Sequence, residues 1–190
     1  MGSARQRAVR GDGERLRAEL VGAAIELLLQ PQSAQTPSLR AIARSCGVAP
    51  SAVYMHFASQ EALMYAVTDE LFGQLRAALD LADTAEDSPE VRLTVMIEAY
   101  LDWSASHPGA YQLLFERPDP PPETGIGPGL DLLERLGAAL SAITGRQEPS
   151  TALRAWSILH GIASLRIHKP AAPWQATPRQ DAHAIIRALI

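Results

Sequence analysis

The stretch SLRAIARSCGVAPSAVYMHFASQEAL, residues 38–63, carries the clearest structural pattern in this chain. Ser38 stands where a helix N-cap belongs, and three apolar residues follow at the spacing of one helix face: Leu39, Ile42 and Ala43. Gly47 ends that helix, and Pro50 suits the first turn of the next because its missing N–H would have no partner there. The pattern predicts two short helices separated by about four residues around a glycine, which is a helix-turn-helix.

The same block separates an inner face from an outer one. The residues that point inward and lock the helices together are apolar: Leu39, Ile42, Ala43, Val48, Val53 and Phe57. The residues left outside on the second helix are small, polar or aromatic: Pro50, Ser51, Ala52, Tyr54, Met55 and His56. Such a helix can enter the major groove of DNA while its flanks donate to phosphates. The alternative is a helical hairpin without a DNA role, in which Tyr54 is half-buried and Met55 is incidental surface.

The rest of the chain also predicts helices and no strands, so we expect an all-α protein of about nine helices. The predicted helices span residues 14–29, 39–46, 50–56, 60–81, 89–104, 110–115, 130–143, 149–167 and 179–190. Polar and proline-rich runs separate them. We expect a helix-turn-helix domain over residues 1–60 with a flexible arm at 1–12, a connecting helix over 61–83, and a larger helical domain over 84–190.

Charge is divided unevenly along the chain of 190 residues. Residues 1–60 hold seven arginines and four acidic residues, a net charge of +3, whereas the remainder carries −7. This asymmetry suggests that only the first part meets a polyanion. The single cysteine, Cys46, excludes an intrachain disulfide, and no secretory signal or membrane-spanning run is visible. We therefore expect a cytoplasmic protein without a membrane partner.

The opening block resembles the N-terminal DNA-binding domain of the TetR family of transcriptional regulators. The helix-turn-helix, the Y-x-H-F group at Tyr54–Phe57 and the long helix after it match that family across residues 16–71. The resemblance implies that Ser38 and Arg40 touch DNA from the start of the second helix and that Arg44 adds a phosphate contact. Four residues of the third helix would face base edges: Pro50, Ser51, Ala52 and Met55. Tyr54 and His56 would hold phosphates.

Two positions depart from the family pattern. Gln60 stands where family members commonly have Lys, so a positive charge directed at a phosphate is missing. Ala49 stands where many have Ser or Thr as a cap, a loss of about 1 kcal/mol of helix stability. Both departures concern affinity.

The C-terminal part resembles the effector-binding and dimerisation domain of the same family. HPGAYQLLFERP (residues 107–118) and AWSILHGIASL (residues 155–165) resemble the subtype named for its Trp…His-Gly motif, here Trp156…His160-Gly161. The residues that could wall an apolar ligand site with a few polar handles are Met96, Tyr100, Trp103, Tyr111, Phe115, Trp156 and His160. The alternative is that these side chains are ordinary core, with His160 as an internal hydrogen-bonded histidine.

Catalysis is not indicated by the polar residues of this domain. Four of them invite a metal or acid–base reading: Asp102, His107, His160 and His168. They lack the spacing of metal ligands and include no clustered pair of carboxylates. We expect no enzyme activity, no metal and no cofactor.

Dimerisation is expected because the last two helices carry more apolar surface than one small body can cover. The candidate interface residues are Leu153, Ile158, Leu165, Ile185, Ile186 and Leu189. They can be buried in a four-helix bundle between two subunits. The alternative is that both helices wrap the ligand core of a single chain.

These expectations combine into one function. We expect a homodimer that binds a palindromic double-stranded DNA operator and acts as a repressor released by a small-molecule effector. The alternative is a helix-turn-helix interaction protein whose C-terminal domain binds a protein partner and whose DNA binding is weak or lost.

Overall fold

The computed structural model describes residues 12–29, 36–83, 88–116, 129–146 and 148–188. Within these ranges the chain forms nine α-helices and no strand, which confirms the predicted all-α class. The helices are α1 (Asp12–Leu28), α2 (Leu39–Ser45), α3 (Pro50–Tyr54), α4 (Gln60–Ala82), α5 (Pro89–Ser106), α6 (Pro108–Phe115), α7 (Leu130–Thr144), α8 (Pro149–His168) and α9 (Pro178–Arg187).

The chain divides into two units, a head at Met1–Glu70 and a body at Leu71–Ile190. The division lies inside α4, so this helix contributes its first part to the head and its remainder to the body. The predicted connecting helix over residues 61–83 stays a prediction. The predicted arm lies outside the described residues except for Asp12.

The head is built around a small aliphatic core. Leu20 and Ala24 of α1, Ile42 of α2 and Val53 of α3 are completely buried, and Phe57 is nearly so. α2 packs against both α1 and α3. Burial of the Leu, Ile, Val and Phe side chains stabilises by roughly 1.5–3 kcal/mol each. This holds α2 and α3, two helices too short to form alone.

The turn between α2 and α3 depends on one glycine. Gly47 has φ 68°, the left-handed region that side chains rarely adopt. Behind it, the Val48 N–H donates to the Ala43 carbonyl at 2.9 Å, which closes the end of α2. Val48, predicted to point inward, is half-buried.

The body has α5 at its centre. α5 contacts α6, α7, α8 and α9, while α8 packs on α7 and α9. The buried residues along α5 recur at helical spacing: Leu93, Met96, Ile97, Tyr100, Leu101, Trp103 and Ser104. This arrangement brings the aromatic residues of α5 and α6 next to α8.

Helix boundaries in the body follow local caps. Ser88 caps α5, and Thr177 forms a capping box with Gln180 at the start of α9. α5 continues to Ser106, two residues beyond the predicted end, and Pro108 begins α6 as its first residue. The predicted loops at residues 30–35, 84–87 and 117–128 lie outside the described residues. No helix in the described ranges combines the length and apolarity needed to cross a bilayer.

Candidate functional site

The outer surface of α3 exposes two large side chains. Tyr54 is 57% exposed and Met55 is 84% exposed, directly after the fully buried Val53. Phe57, 2% exposed, anchors the chain that follows. The other predicted contact residues of this helix divide: Pro50 and Ser51 are exposed, and Ala52 is half-buried. The core therefore fixes α3 while its polar and aromatic side chains remain available.

Two arginines of α2 extend this surface. Arg40 and Arg44 are exposed and, being four residues apart, lie on one face of the helix. Among the described residues neither has a carboxylate partner. An unpaired guanidinium can bind a phosphate with two parallel hydrogen bonds. The head thus offers two cations beside the exposed helix.

Ser38 and His56 flank these residues. The Ser38 hydroxyl oxygen accepts from the Ala41 N–H at 3.2 Å, so it caps α2 and still has its own proton to donate. His56 is half-buried, because its ring packs beside Gly13 of α1; a Cβ at Gly13 would lie 3.8 Å from the His56 Cε1. His56, predicted to lie outside, is thus only partly exposed.

Gln60 has a role in the structure that the sequence did not indicate. Its Nε2 donates to the carbonyl of Pro37 at 3.1 Å in a partly buried contact. Pro37 comes directly before Ser38, the cap of α2. Gln60 therefore joins the first residue of α4 to the chain that enters α2.

In the body, the structure brings five of the predicted ligand-site residues into one aromatic cluster: Tyr100, Tyr111, Phe115, Trp156 and His160. The His160 ring stacks on Tyr111 and on Trp156, with ring centroids 5.6 Å and 5.4 Å apart. Tyr100 and Tyr111 are buried, whereas Phe115, Trp156 and His160 are half-buried. The cluster therefore has an inner polar end and a partly open aromatic end.

Hydrogen bonds tie the inner end together. The Tyr100 hydroxyl donates to the Tyr111 oxygen at 3.3 Å, and that oxygen lies 2.6 Å from Nδ1 of His160. Burial raises the pKa of Tyr111 to about 12 and raises the pKa of Tyr100 well above its ordinary value. Burial also lowers the pKa of His160, against the opposing effect of Glu116. The cluster is uncharged at neutral pH.

The remaining predicted ligand residues lie differently. Met96 is buried on α5, four residues before Tyr100 of the cluster. Trp103 stacks on His107, with centroids 5.2 Å apart. The sequence analysis missed Phe72 of α4, whose ring meets Phe115 edge-on at 5.7 Å. Phe72 follows Leu71 in a helix with a regular apolar pattern. Such a pattern predicts that the side chain is buried, but it does not indicate that the ring contacts Phe115.

Ion pairs occupy five arginines of the body. Asp83 accepts from both Arg92 and Arg135, at 2.7 Å and 2.9 Å, and Arg135 also binds Asp80. Arg92 is the first cause of a lowered Asp83 pKa, at about 2. The other pairs are Arg76–Asp131, Arg166–Asp181 and Arg179 with Glu98 and Asp102. These cations are therefore committed to internal contacts.

The polar residues considered for catalysis also have structural partners. Asp102 accepts from Arg179, and His107 Nδ1 lies 3.0 Å from the Trp103 carbonyl. His168 lies 3.3 Å from Glu116 and 3.0 Å from Gln112. The described part of the chain brings no three metal-binding side chains together.

The predicted dimer residues divide into exposed and buried ones. Leu153 and Leu165 of α8 are each 51% exposed, and Ile185 of α9 is 43% exposed. Ile158 is half-buried. Ile186 is only 3% exposed because it packs into the core of its own chain, so we remove it from the candidate interface. Leu189 lies outside the described residues.

Comparisons with known proteins agree with these two units. A family described as bacterial regulatory proteins, tetR family, matches residues 21–67, and one described as tetracyclin repressor-like, C-terminal domain, matches residues 93–189. Neither description names the Trp…His-Gly subtype, which stays a prediction.

One curated relative is the HTH-type transcriptional regulator Rv1816 of Mycobacterium tuberculosis. It is 32% identical over 96 residues, which cover 47% of this chain and 41% of the relative. The chain thus spans less than half the length of that relative.

Solved structures share the fold over most of the chain. BioQ with its double-stranded DNA operator has a TM-score of 0.65 at 22% identity, covering 91% of this chain and 96% of BioQ. The multidrug binding protein EbrR complexed with malachite green has a TM-score of 0.67 at 21% identity, covering 92% and 97%. At this identity the likeness shows the fold alone. Because the C-terminal family matches half of the chain and the N-terminal family matches its helix-turn-helix, the protein belongs to the TetR family of regulatory proteins.

Proposed function

We propose that this protein is a DNA-binding transcriptional regulator that responds to a small molecule and acts as a repressor. The observation that carries the proposal is the surface of the head, where α3 exposes Tyr54 and Met55 and the adjoining α2 exposes Arg40 and Arg44, which have no carboxylate partner among the described residues. Such a surface suits the major groove, with Arg44 on a phosphate and α3 against base edges. As a regulator of bacterial genes, the protein works in the cytoplasm.

The proposed contacts follow from position and chemistry. Tyr54 and His56 donate to phosphates, together with Ser38 and Arg44. Arg40 contacts DNA from the start of α2. The residues of α3 that face base edges are Pro50, Ser51, Ala52 and Met55. BioQ, a protein of the same fold, has been solved with its operator, which supports the DNA partner.

The effector site is the partly open end of the aromatic cluster. Half-buried Phe115 and Trp156 supply flat apolar surface, and His160 adds a polar handle whose Nδ1 faces Tyr111. Phe115 touches Phe72 of α4, and α4 continues into the head. A ligand that binds better to one of two positions of Phe115 therefore favours the matching state of α4, and this changes the affinity of the head for DNA. The change can be no larger than the ratio of the ligand's affinities for the two states. EbrR, complexed with malachite green, supports a small-molecule site.

The protein acts as a homodimer on a palindromic operator. Leu153, Ser157 and Leu165 on α8 are exposed at four- and eight-residue spacing, and Gly161 lies between them. A Cβ added at Gly161 would meet nothing within 4 Å, so a helix of a second copy can approach closely. Exposed Ile185 extends this apolar face onto α9 in the proposed interface, with half-buried Ile158 at its side.

Fluorescence anisotropy over a salt series tests DNA binding. The duplex is one that the wild-type protein selects from a randomised library. The logarithm of the association constant should fall linearly with the logarithm of salt concentration. Tyr54→Ala and His56→Ala should weaken binding to all duplexes, whereas Tyr65→Ala, a matched exposed tyrosine of α4, should not.

Failure of wild-type protein to bind any duplex at low salt would favour the second candidate, a helix-turn-helix protein whose body binds a protein partner. The uncharged Gln60 is the observation that favours this second candidate.

Sedimentation equilibrium tests the homodimer. Leu153→Glu and Leu165→Glu should each give a monomer, because a carboxylate would be buried without a partner. Leu81→Glu is the matched control, since Leu81 is 88% exposed on α4, away from the proposed interface residues in sequence. A wild-type protein that sediments as a monomer would contradict the homodimer.

A further inference from the structure

Gln60 connects two helices of the head through one hydrogen bond. Its side-chain Nε2 reaches the Pro37 carbonyl across 23 residues of sequence, at 3.1 Å. The Pro37 carbonyl lies outside α2, so no intrahelical N–H serves it. A partly buried carbonyl needs a donor, and Gln60 provides it.

Both ends of this bond are fixed by their surroundings. On the α4 side, the Ser59 hydroxyl accepts from the Ala62 N–H at 3.1 Å, and Leu63 is completely buried. On the α2 side, Ser38 caps the helix and Leu39 is buried. The Gln60 side chain therefore spans two ordered backbones and limits their relative position.

The position of the α2 start matters for the proposed DNA surface. Ser38 follows Pro37 directly, and Arg40 lies two residues beyond Ser38. A shift of the chain at Pro37 moves both side chains together, since they belong to the same first turn. A hydrogen bond to a phosphate weakens steeply when its distance or angle changes. The bond from Gln60 thus acts on DNA contacts that Gln60 does not make itself.

From this geometry we infer that Gln60 is a positioning residue for DNA binding, which holds the start of α2 at the position where Ser38 and Arg40 meet the duplex. The inference rests on the proposed function. Under this inference Gln60 has a structural role of its own, whereas the sequence alone indicated only that a lysine directed at a phosphate is missing at this position. Because the amide is neutral, its loss changes affinity and leaves the number of neutralised phosphates unchanged.

The test measures duplex affinity for Gln60→Met and Gln60→Asn, using the duplex selected by the wild-type protein. Met removes the donor at similar size, and Asn keeps an amide that is one methylene too short to reach Pro37. Each variant should bind about fivefold more weakly, which corresponds to one neutral hydrogen bond of about 1 kcal/mol. The slope of log affinity against log salt should match that of the wild type.

Gln175→Met is the matched control, because the Gln175 Nε2 donates to the Pro173 carbonyl at 3.2 Å in the body. Its duplex affinity should equal that of the wild type. Circular dichroism melting confirms that each variant is folded at the assay temperature, and Gln60→Asn carries the test if Gln60→Met does not fold.

Three results would overturn the inference: wild-type affinity in folded Gln60→Asn, an equal loss in Gln175→Met, or a changed salt slope in the position-60 variants. If the wild-type protein itself bound no duplex, the proposed function would fail first, so the two failures are distinguishable.

Discussion

The head and the body differ in how some of their arginines are paired. In the body, Arg92 and Arg135 converge on Asp83, and the Tyr100 hydroxyl donates to Tyr111, whose oxygen lies 2.6 Å from Nδ1 of His160. In the head, Arg40 and Arg44 are exposed without a carboxylate partner among the described residues. A polar group already paired inside a protein has little left for a ligand, whereas an unpaired exposed cation remains available. The difference indicates which unit meets a polyanion.

Alanine substitutions at two glycines with a left-handed backbone compare the stability of the two units. One of them should have the largest effect of all the changes considered. Gly129 has φ 104°, and a Cβ there would lie 2.5 Å from the Phe72 ring, whereas Gly47 has φ 68° and open space around it. We expect Gly129→Ala to destabilise the body by about 3 kcal/mol, from strain and overpacking together. Gly47→Ala should cost the head about 1 kcal/mol, from strain alone. Denaturant unfolding measures both, and equal losses would contradict this account.

Removing the unpaired cations of the head should have the next largest effect. The double variant Arg40→Ala with Arg44→Ala should weaken duplex binding about 30-fold, since two charge-assisted contacts are lost. It should also reduce the salt slope by about 0.9, because Arg44 neutralises one phosphate in the proposed complex. Arg40→Ala alone should alter sequence preference. Arg146→Ala, an exposed arginine of the body, is the charge-matched control. A double variant with the wild-type slope would place the phosphate contacts elsewhere.

The buried hydroxyl of the body should have a smaller effect. Tyr111→Phe leaves the Tyr100 hydroxyl and His160 Nδ1 without their shared partner. We expect a loss of about 1–2 kcal/mol in the free energy of unfolding, because a buried polar group without a partner keeps its desolvation cost. Duplex affinity of the unliganded protein should not change. Calorimetric unfolding checks the stability, and an unchanged melting temperature would mean that water replaces the hydroxyl.

Lowering the pH should cause the smallest changes in the free energy of unfolding, in two separate pH ranges. The folded-state pKa of His160 lies below 6.5, so the unfolded chain binds more protons and stability falls as pH drops through that value. The pKa of Asp83 is about 2 instead of 3.8, so its contribution is present above 3.8 and is lost as pH falls towards 2. His160→Gln should remove the pH dependence of stability only in the range below 6.5. Asp83→Asn should remove it only in the range between 3.8 and 2. Unfolding measured across pH checks both, and identical profiles would contradict the assignment.

The helix-turn-helix could be predicted from sequence because its signals are local. A serine cap, a left-handed glycine and a proline in the first helical turn lie within thirteen residues, Ser38–Pro50, and each acts on backbone no more than three residues away. The exposed Tyr54 and Met55 follow from the same register, since Val53 must face inward.

The ion pairs and the bond from Gln60 could not be predicted in this way. Arg135 and Asp80 are 55 residues apart, so their meeting depends on how α7 packs on the body part of α4. The acceptor of Gln60 is a main-chain carbonyl, and every residue has one, so no residue type marks it. Ile185 and Ile186 are neighbours of the same type, and only the packing of α9 decides which one faces the core.

The ion pairs of the body also bear on how fast the protein meets its target. Residues 61–190 carry a net charge of −7, and five of their ten basic side chains are already held by carboxylates. Beyond the Debye length of about 8 Å at physiological salt this surface exerts little force, but within it a nucleic-acid backbone is repelled. Collisions made through the body are therefore short-lived, while those made through the cationic head persist. For the proposed DNA surface, the opposite net charges of residues 1–60 and 61–190 thus raise the fraction of encounters that begin in a productive orientation.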